Sequence, residues 1–185
     1  YNLIYNNKAI NRYKNNKFGL LSNKKENLAE LKKTISCIKN CELKKNSTNI
    51  VFGDGNPDSR IMLIGEGPGY NEDLEGLPFV GRAGNLLDKM LASINLDRSN
   101  VYISNVVNFR PPENRKPTEI EIKRYLPFLE KHIEIIKPKI LILLGSTAMN
   151  ALIGDKFVIS KVRGQWIEKK IGSVKLSIIV TFHPA

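Results

Sequence analysis

The feature that most constrains this chain is an alternation of two kinds of apolar segment. Short apolar runs occur at Arg60–Ile64, Val101–Val107, Lys139–Leu144 and Leu176–Thr181. They are separated by longer stretches whose apolar residues recur at helical spacing. One such stretch is Arg82–Ile94, with Leu86, Leu87, Met90 and Leu91 on one face. Another is Thr118–Ile136, with Ile122, Leu126, Leu129, Ile133 and Ile136 as its buried stripe. Thr118 and Glu121 form a capping-box pattern at its start, and Pro138 closes it. A shorter helix is predicted over Ser146–Ile153. Parallel strands need long crossovers, so the alternation predicts an α/β chain. The expected architecture is an open, mainly parallel four-stranded sheet with helices on both faces, in three layers (α/β/α).

Upstream of the first strand the pattern weakens. Residues 1–27 are polar and rich in Asn and Lys, and read as an N-terminal extension, either a tail or a loose helix. A helix is predicted over Asn27–Ile38, and the folded domain over 28–185. No apolar run approaches the length of a membrane span. The formal net charge of +11 favours a polyanionic partner such as DNA, RNA or an acidic membrane surface. An AT-rich coding sequence would also enrich Lys and Asn, so charge alone does not decide. The two cysteines, Cys37 and Cys41, lie too close together for a disulfide framework and fit a reducing, cytoplasmic setting.

Ligands of open α/β sheets bind at the carboxyl ends of the strands. Gly65-Glu66-Gly67-Pro68-Gly69 follows the first predicted strand, and Asn105 lies near the end of the second. Gly145-Ser146 follows the third, and His183-Pro184 follows the last. Each polar residue has an ordinary reading: Glu66 as a charge near a helix start, Asn105 as a strand-end cap, His183 as a buried imidazole. An acid, an amide and an imidazole converging on one edge make a site the better joint reading. The glycine-rich turn lacks the dinucleotide spacing, and no Lys-Ser/Thr pair completes a phosphate loop.

These residues resemble the motifs of family 4 uracil-DNA glycosylases. Gly65-Glu66-Gly67-Pro68-Gly69 with Glu72-Asp73 is similar to the first motif, and Gly76–Gly84 to the signature that follows it. Asn105-Val106-Val107 with Arg110–Arg115 resembles the second, and Thr181-Phe182-His183-Pro184 the last. The likeness runs in order from about Cys41 to Ala185. It implies the uracil-DNA glycosylase fold and a monofunctional enzyme of base excision repair. Such an enzyme hydrolyses the N-glycosidic bond of uracil in DNA and leaves an abasic site. The uracil must first be flipped out of the stack. The resemblance implies that Phe79 stacks on it, Asn105 reads its Watson–Crick edge, and His183 bonds its carbonyl as charge builds up. It further implies that Glu66 positions water or stabilises the cationic sugar. Glu72 near the base would help exclude thymine, and Gly67 would line the base pocket. Arg110, Pro111, Pro112, Asn114, Arg115 and Lys116 would press on DNA phosphates beside the lesion. Uracil-containing DNA is the expected partner, and a monomer the expected state.

Two departures from the family pattern stand out. The family's 4Fe-4S cluster needs four cysteines. Here Cys41 fits one ligand position, Cys37 is one residue out of place, and the remaining two positions read Phe109 and Tyr125. No cofactor and no metal are therefore expected. Phe109 and Tyr125 are expected to pack together close to Cys41, with the Tyr125 hydroxyl finding a partner or reaching solvent. The family pattern also continues past His-Pro with a Leu- and Arg-bearing loop, whereas this sequence ends at Ala185, so a C-terminal truncation is expected. Alternatives are a non-catalytic DNA-binding relative and an unrelated nucleotide-binding α/β protein.

Overall fold

The computed structural model describes residues 12–185. Four parallel strands form its centre: β2 (Ile61–Gly65), β3 (Tyr102–Asn105), β4 (Ile140–Leu144) and β6 (Val174–Thr181). Two antiparallel strands border them, β1 (Asp54–Gly55) beside β3 and β5 (Trp166–Ile171) beside β6. The order is β1-β3-β2-β4-β6-β5, six strands rather than the expected four. Neither added strand carries the signal of a buried one. β1 has two residues in a Gly/Pro-rich loop. β5 is a charged edge strand whose exposed and half-buried residues alternate until Ile171.

Side chains alternate across the sheet, and both faces are covered, which is why the inner strands are apolar throughout. Met62 and Ile64 point into a core shared with Leu129, Ile133, Leu141 and Ile178. Leu63 points to the other face, onto Leu87, Leu91, Val101 and Ile103. The first face is covered by α1 (Arg12–Ser36), α5 (Glu119–Ile136) and α6 (Ser146–Ile153). The second is covered by α4 (Arg82–Ala92).

Helix α1 starts well before the predicted Asn27, inside the segment read as an extension, and ends at Ser36. Its side chains already dock ahead of residue 28. Lys24 Nζ bonds Asp58 Oδ1 at 2.9 Å, the Pro57 carbonyl at 3.1 Å and the Ile136 carbonyl at 3.3 Å. The last contact places a cation at the carboxyl end of α5, where the helix dipole favours it. Residues 1–11 of the predicted extension lie outside the described residues. The capping box at α5 forms as its sequence predicts: Glu121 N donates to Thr118 Oγ1, and Thr118 N to Glu121 Oε2 at 2.7 Å. Among the described residues, no helix is long and apolar enough to cross a membrane.

His132 of α5 is fully enclosed. It stacks on Phe52 with ring centroids 4.3 Å apart and shares a 2.9 Å hydrogen bond with the Tyr102 hydroxyl. Burial pushes its pKa down to about 3. The unfolded chain takes up that proton near pH 6.5, so this contribution to stability is complete above 6.5 and is lost as pH falls below it. Urea midpoints should therefore drop between pH 7 and pH 5, and the drop should be shallower in His132→Leu. An identical pH dependence in the variant would refute the assignment.

Candidate active site

The carboxyl ends of β2, β3, β4 and β6 meet at one edge of the sheet, and an open cleft lies there. Glu66, Gly67, Gly69, Glu72, Phe79, Asn105, Pro111, Asn114, Arg115 and His183 all line it. The structure thus brings together every residue expected to act on the base. Of the expected DNA-contacting residues, Arg110, Pro112 and Lys116 stand outside the cleft wall.

Asn105 ends β3, directly opposite Gly65 of β2 in the register. Its side chain is buried, and among the described residues its Oδ1 has no hydrogen-bond partner. A buried amide oxygen left unpaired costs about 1–3 kcal/mol, so this atom marks a place for a ligand donor. Gly65 makes room for it: a Cβ there would stand 2.5 Å from Asn105 Oδ1 and 2.6 Å from the Phe79 ring.

Phe79 forms the adjoining wall. Its ring lies 5.7 Å from that of His183, inclined by 28°. Its backbone has φ of +55°, a left-handed conformation uncommon for a bulky residue. Two charged side chains hold it there. Glu72 accepts hydrogen bonds from Val80 N at 3.0 Å, Gly81 N at 2.8 Å and Gly69 N at 3.1 Å. From the opposite side Arg98 donates to the Pro78 carbonyl at 3.0 Å and to the Phe79 carbonyl. Arg98 is itself set by Asp54 and Asp88. Gly84 of α4 lies against the Phe79 carbonyl, where any Cβ would collide.

Glu66 follows β2 and accepts a hydrogen bond from Thr147 Oγ1, near the start of α6. Burial pushes the His183 imidazole below its usual range, while the carboxylates of Glu66 and Glu72 act in the opposite direction. Arg98 and Thr147 escape sequence reasoning. Thr147 directly follows the flagged Gly145-Ser146 and could have been found by extending that strand-end reading by one residue. Arg98 sits in a polar loop with no local signal.

The loop after β3 is braced as its proline content predicts. A 3₁₀ turn covers Pro112–Asn114, and Arg110 Nε donates to Asn114 Oδ1 at 2.7 Å. The Arg110 guanidinium also lies 5.1 Å over the Tyr70 ring. Arg115 forms two hydrogen bonds to the Glu121 carboxylate, at 2.8 and 2.7 Å. Its guanidinium is thereby oriented by the helix cap of α5.

The family model of the uracil DNA glycosylase superfamily matches residues 52–185. The type-4 uracil-DNA glycosylase of Thermotoga maritima is 49% identical over 146 residues, covering 78% of this chain and 74% of the relative. That of Archaeoglobus fulgidus is 40% identical, covering 86% and 82% respectively. That of Sulfurisphaera tokodaii is 42% identical, covering 86% and 75%. The chain belongs to the type-4 uracil-DNA glycosylases. The alternative of an unrelated nucleotide-binding protein falls with that membership.

Within this family the region around Cys41 is unusual. A type-4 iron–sulfur cluster does not fit the side chains that this glycosylase supplies there. Cys41 is buried, and its Sγ lies 3.3 Å from the Tyr125 hydroxyl. Phe109 is buried in the same apolar cluster and offers no ligand atom. Cys37 is exposed. Among the described residues, no group of three or more His, Cys, Asp or Glu could hold a metal ion. The Tyr125 ring meets Phe128 edge-on at 6.4 Å, and burial raises its hydroxyl pKa. The hydroxyl has thus found the partner it was expected to need, and that partner is the thiol.

The balance of charges at His183 can be measured. Replacing Glu66 with Gln removes an anion that favours the imidazolium. The His183 midpoint, followed by NMR of the ring protons, should start below the ordinary value near 6.5 and fall further in Glu66→Gln. A rise in the variant would contradict the arrangement.

Proposed function

We propose that this chain excises uracil from DNA by hydrolysis, using Asn105, His183 and Glu66, and that it does so without an iron–sulfur cluster. The observation that carries the reading is the buried, unpartnered Oδ1 of Asn105 in a cleft walled by Phe79 and His183. Type-4 uracil-DNA glycosylases are the relatives that this chain matches over most of its length.

The reaction follows from these groups. A flipped uracil enters the cleft and stacks on Phe79. The Asn105 amide both accepts and donates, matching an edge that presents an N–H beside a carbonyl. As the bond between base and sugar breaks, its electron pair moves into the uracil ring and onto its carbonyl oxygens. A neutral His183, favoured by its burial, donates a hydrogen bond to the carbonyl where that charge collects. The sugar is left cationic, and the Glu66 carboxylate, oriented by Thr147, stabilises it and aligns the attacking water. Water's oxygen bonds to the sugar carbon, and its spare proton passes by way of the Glu66 carboxylate to the departing uracil anion, leaving an abasic site and neutral uracil. Gly67 lines the cleft, and a Cβ there would clash with the Val107 side chain. Glu72 contributes by bracing the loop that carries Phe79, and thereby shapes the pocket that excludes the thymine methyl.

At the rim of the cleft, with Pro111, Asn114 and Arg115 in its wall and Arg110, Pro112 and Lys116 beyond it, the loop after β3 forms a rigid basic edge for the DNA backbone. A monomer in a reducing, cytoplasmic compartment suits the two free thiols. In place of metal ligation, Cys41 meets the Tyr125 hydroxyl, and Phe109 is buried in the same apolar cluster.

Two experiments test these points. Asn105→Ala and His183→Ala should each slow uracil release from an oligonucleotide by roughly a hundredfold or more, the scale of a lost donor aimed at developing charge. Abasic product is read by alkaline cleavage, and near-normal rates in both variants would sink the assignment. Anaerobically purified protein should be colourless and free of stoichiometric iron. Cys41→Ala should lower the unfolding temperature without altering metal content. Brown protein with bound iron would overturn the cluster-free reading.

A further inference from the structure

The residues discussed so far place cations on one flank of the cleft only, at the loop after β3. The opposite flank is built by β6 and by the turn joining α7 (Ile159–Val162) to β5. Because β5 runs antiparallel to β6, with Trp166 opposite Ile179, this turn lies at the carboxyl end of β6. That is the edge that carries His183. The turn is tied to the strand by Gly164 N, which donates to the Val180 carbonyl at 3.1 Å. Gly164 itself has φ of +78°, a conformation that favours glycine, with open space where its Cβ would be.

The residue before that glycine is Arg163. Its guanidinium carbon sits 4.9 Å over the ring of Phe182, the neighbour of His183. Both side chains are exposed, Phe182 by half of its surface. Among the described residues, no carboxylate pairs with Arg163, whereas Arg98 and Arg115 are both held in ion pairs. A large aromatic ring left in solvent at the rim of a cleft, with an unneutralised guanidinium seated over it, is poorly explained by packing. A guanidinium seated over a ring keeps N–H donors free to meet a phosphate.

The spacing across the sheet agrees. From β3 to β6 there are three strand intervals, ~14 Å at the usual separation of neighbouring strands. Along one strand of duplex DNA the phosphates rise ~3.4 Å each, so two β-strands that far apart span about four nucleotides. The cleft lies between them. We infer that Arg163, seated over Phe182, is a second DNA-phosphate contact. It would grip the backbone on the side of the flipped nucleotide opposite Arg110 and Arg115. This inference rests on the glycosylase reading, because that reading puts DNA across this edge.

Salt dependence separates this role from a bracing role for the same cation–π contact. Binding of the full chain to duplex oligonucleotides, with and without one uracil, is measured from low to moderate salt. Each phosphate contact contributes about 0.9 to the slope of log affinity against log salt. Arg163→Ala should reduce that slope by about one such contact on both duplexes, and Arg163→Lys should restore most of it. Phe182→Leu, which keeps the cation, should keep the slope. A wild-type slope in Arg163→Ala would overturn the inference, whether or not affinity falls, since a purely structural brace carries no counterions. If wild-type protein itself binds neither duplex, it is the glycosylase reading that fails.

Discussion

The register between β2 and β3, which sets Gly65 beside Asn105, is the constraint on which the site depends. A slip by one residue would turn every side chain of β3 to the other face. Ser104 would then stand where Asn105 now meets the cleft. The apolar character of both sheet faces prevents that slip, because Leu63 and Ile103 feed one core while Met62 and Ile64 feed the other. Packing energy remote from the cleft thus fixes the position of the buried Asn105 oxygen. The missing side chain at Gly65 then lets Asn105 and Phe79 approach each other.

Rigidity at the neighbouring wall is electrostatic instead. Phe79 occupies a left-handed conformation that its own side chain disfavours. Amides on one side of the loop are gathered by Glu72, and carbonyls on the other by Arg98. Anion and cation act on opposite polarities of the same short segment, so the ring is clamped without covalent help. Arg98 carries two carboxylate partners of its own, which keep it from swinging into solvent. The ring proposed to stack on a base would therefore be in place before any base arrives.

Much of this could be read from the sequence where the physics is local. The capping box of α5 rests on residues three apart, and both of its hydrogen bonds form. The four inner strands show as apolar runs because both of their faces are buried, and the residues following them reach one edge as topology demands. The edge strands were illegible for the converse reason: Glu168, Lys169 and Lys170 belong to a solvent-facing ribbon with no apolar run. The start of α1 was hidden because its first turns carry almost no apolar stripe. Arg98 and Thr147 were missed because their partners, the Phe79 carbonyl and Glu66, are far away in sequence and near only once the sheet exists. Pairing of Arg115 with Glu121 joins a loop to a helix cap six residues on, a spacing that carries no local signal.

The unpartnered oxygen of Asn105 has a consequence for the end of the catalytic cycle. With the cleft empty, the fold carries an unsatisfied buried acceptor, and any molecule that donates to it is held in exchange for relieving that cost. Free uracil presents the same edge as uracil in DNA. In the proposed mechanism the feature that admits the base would also retard its departure, so that the liberated base would compete with fresh substrate and raise the unfolding temperature of the protein that retains it.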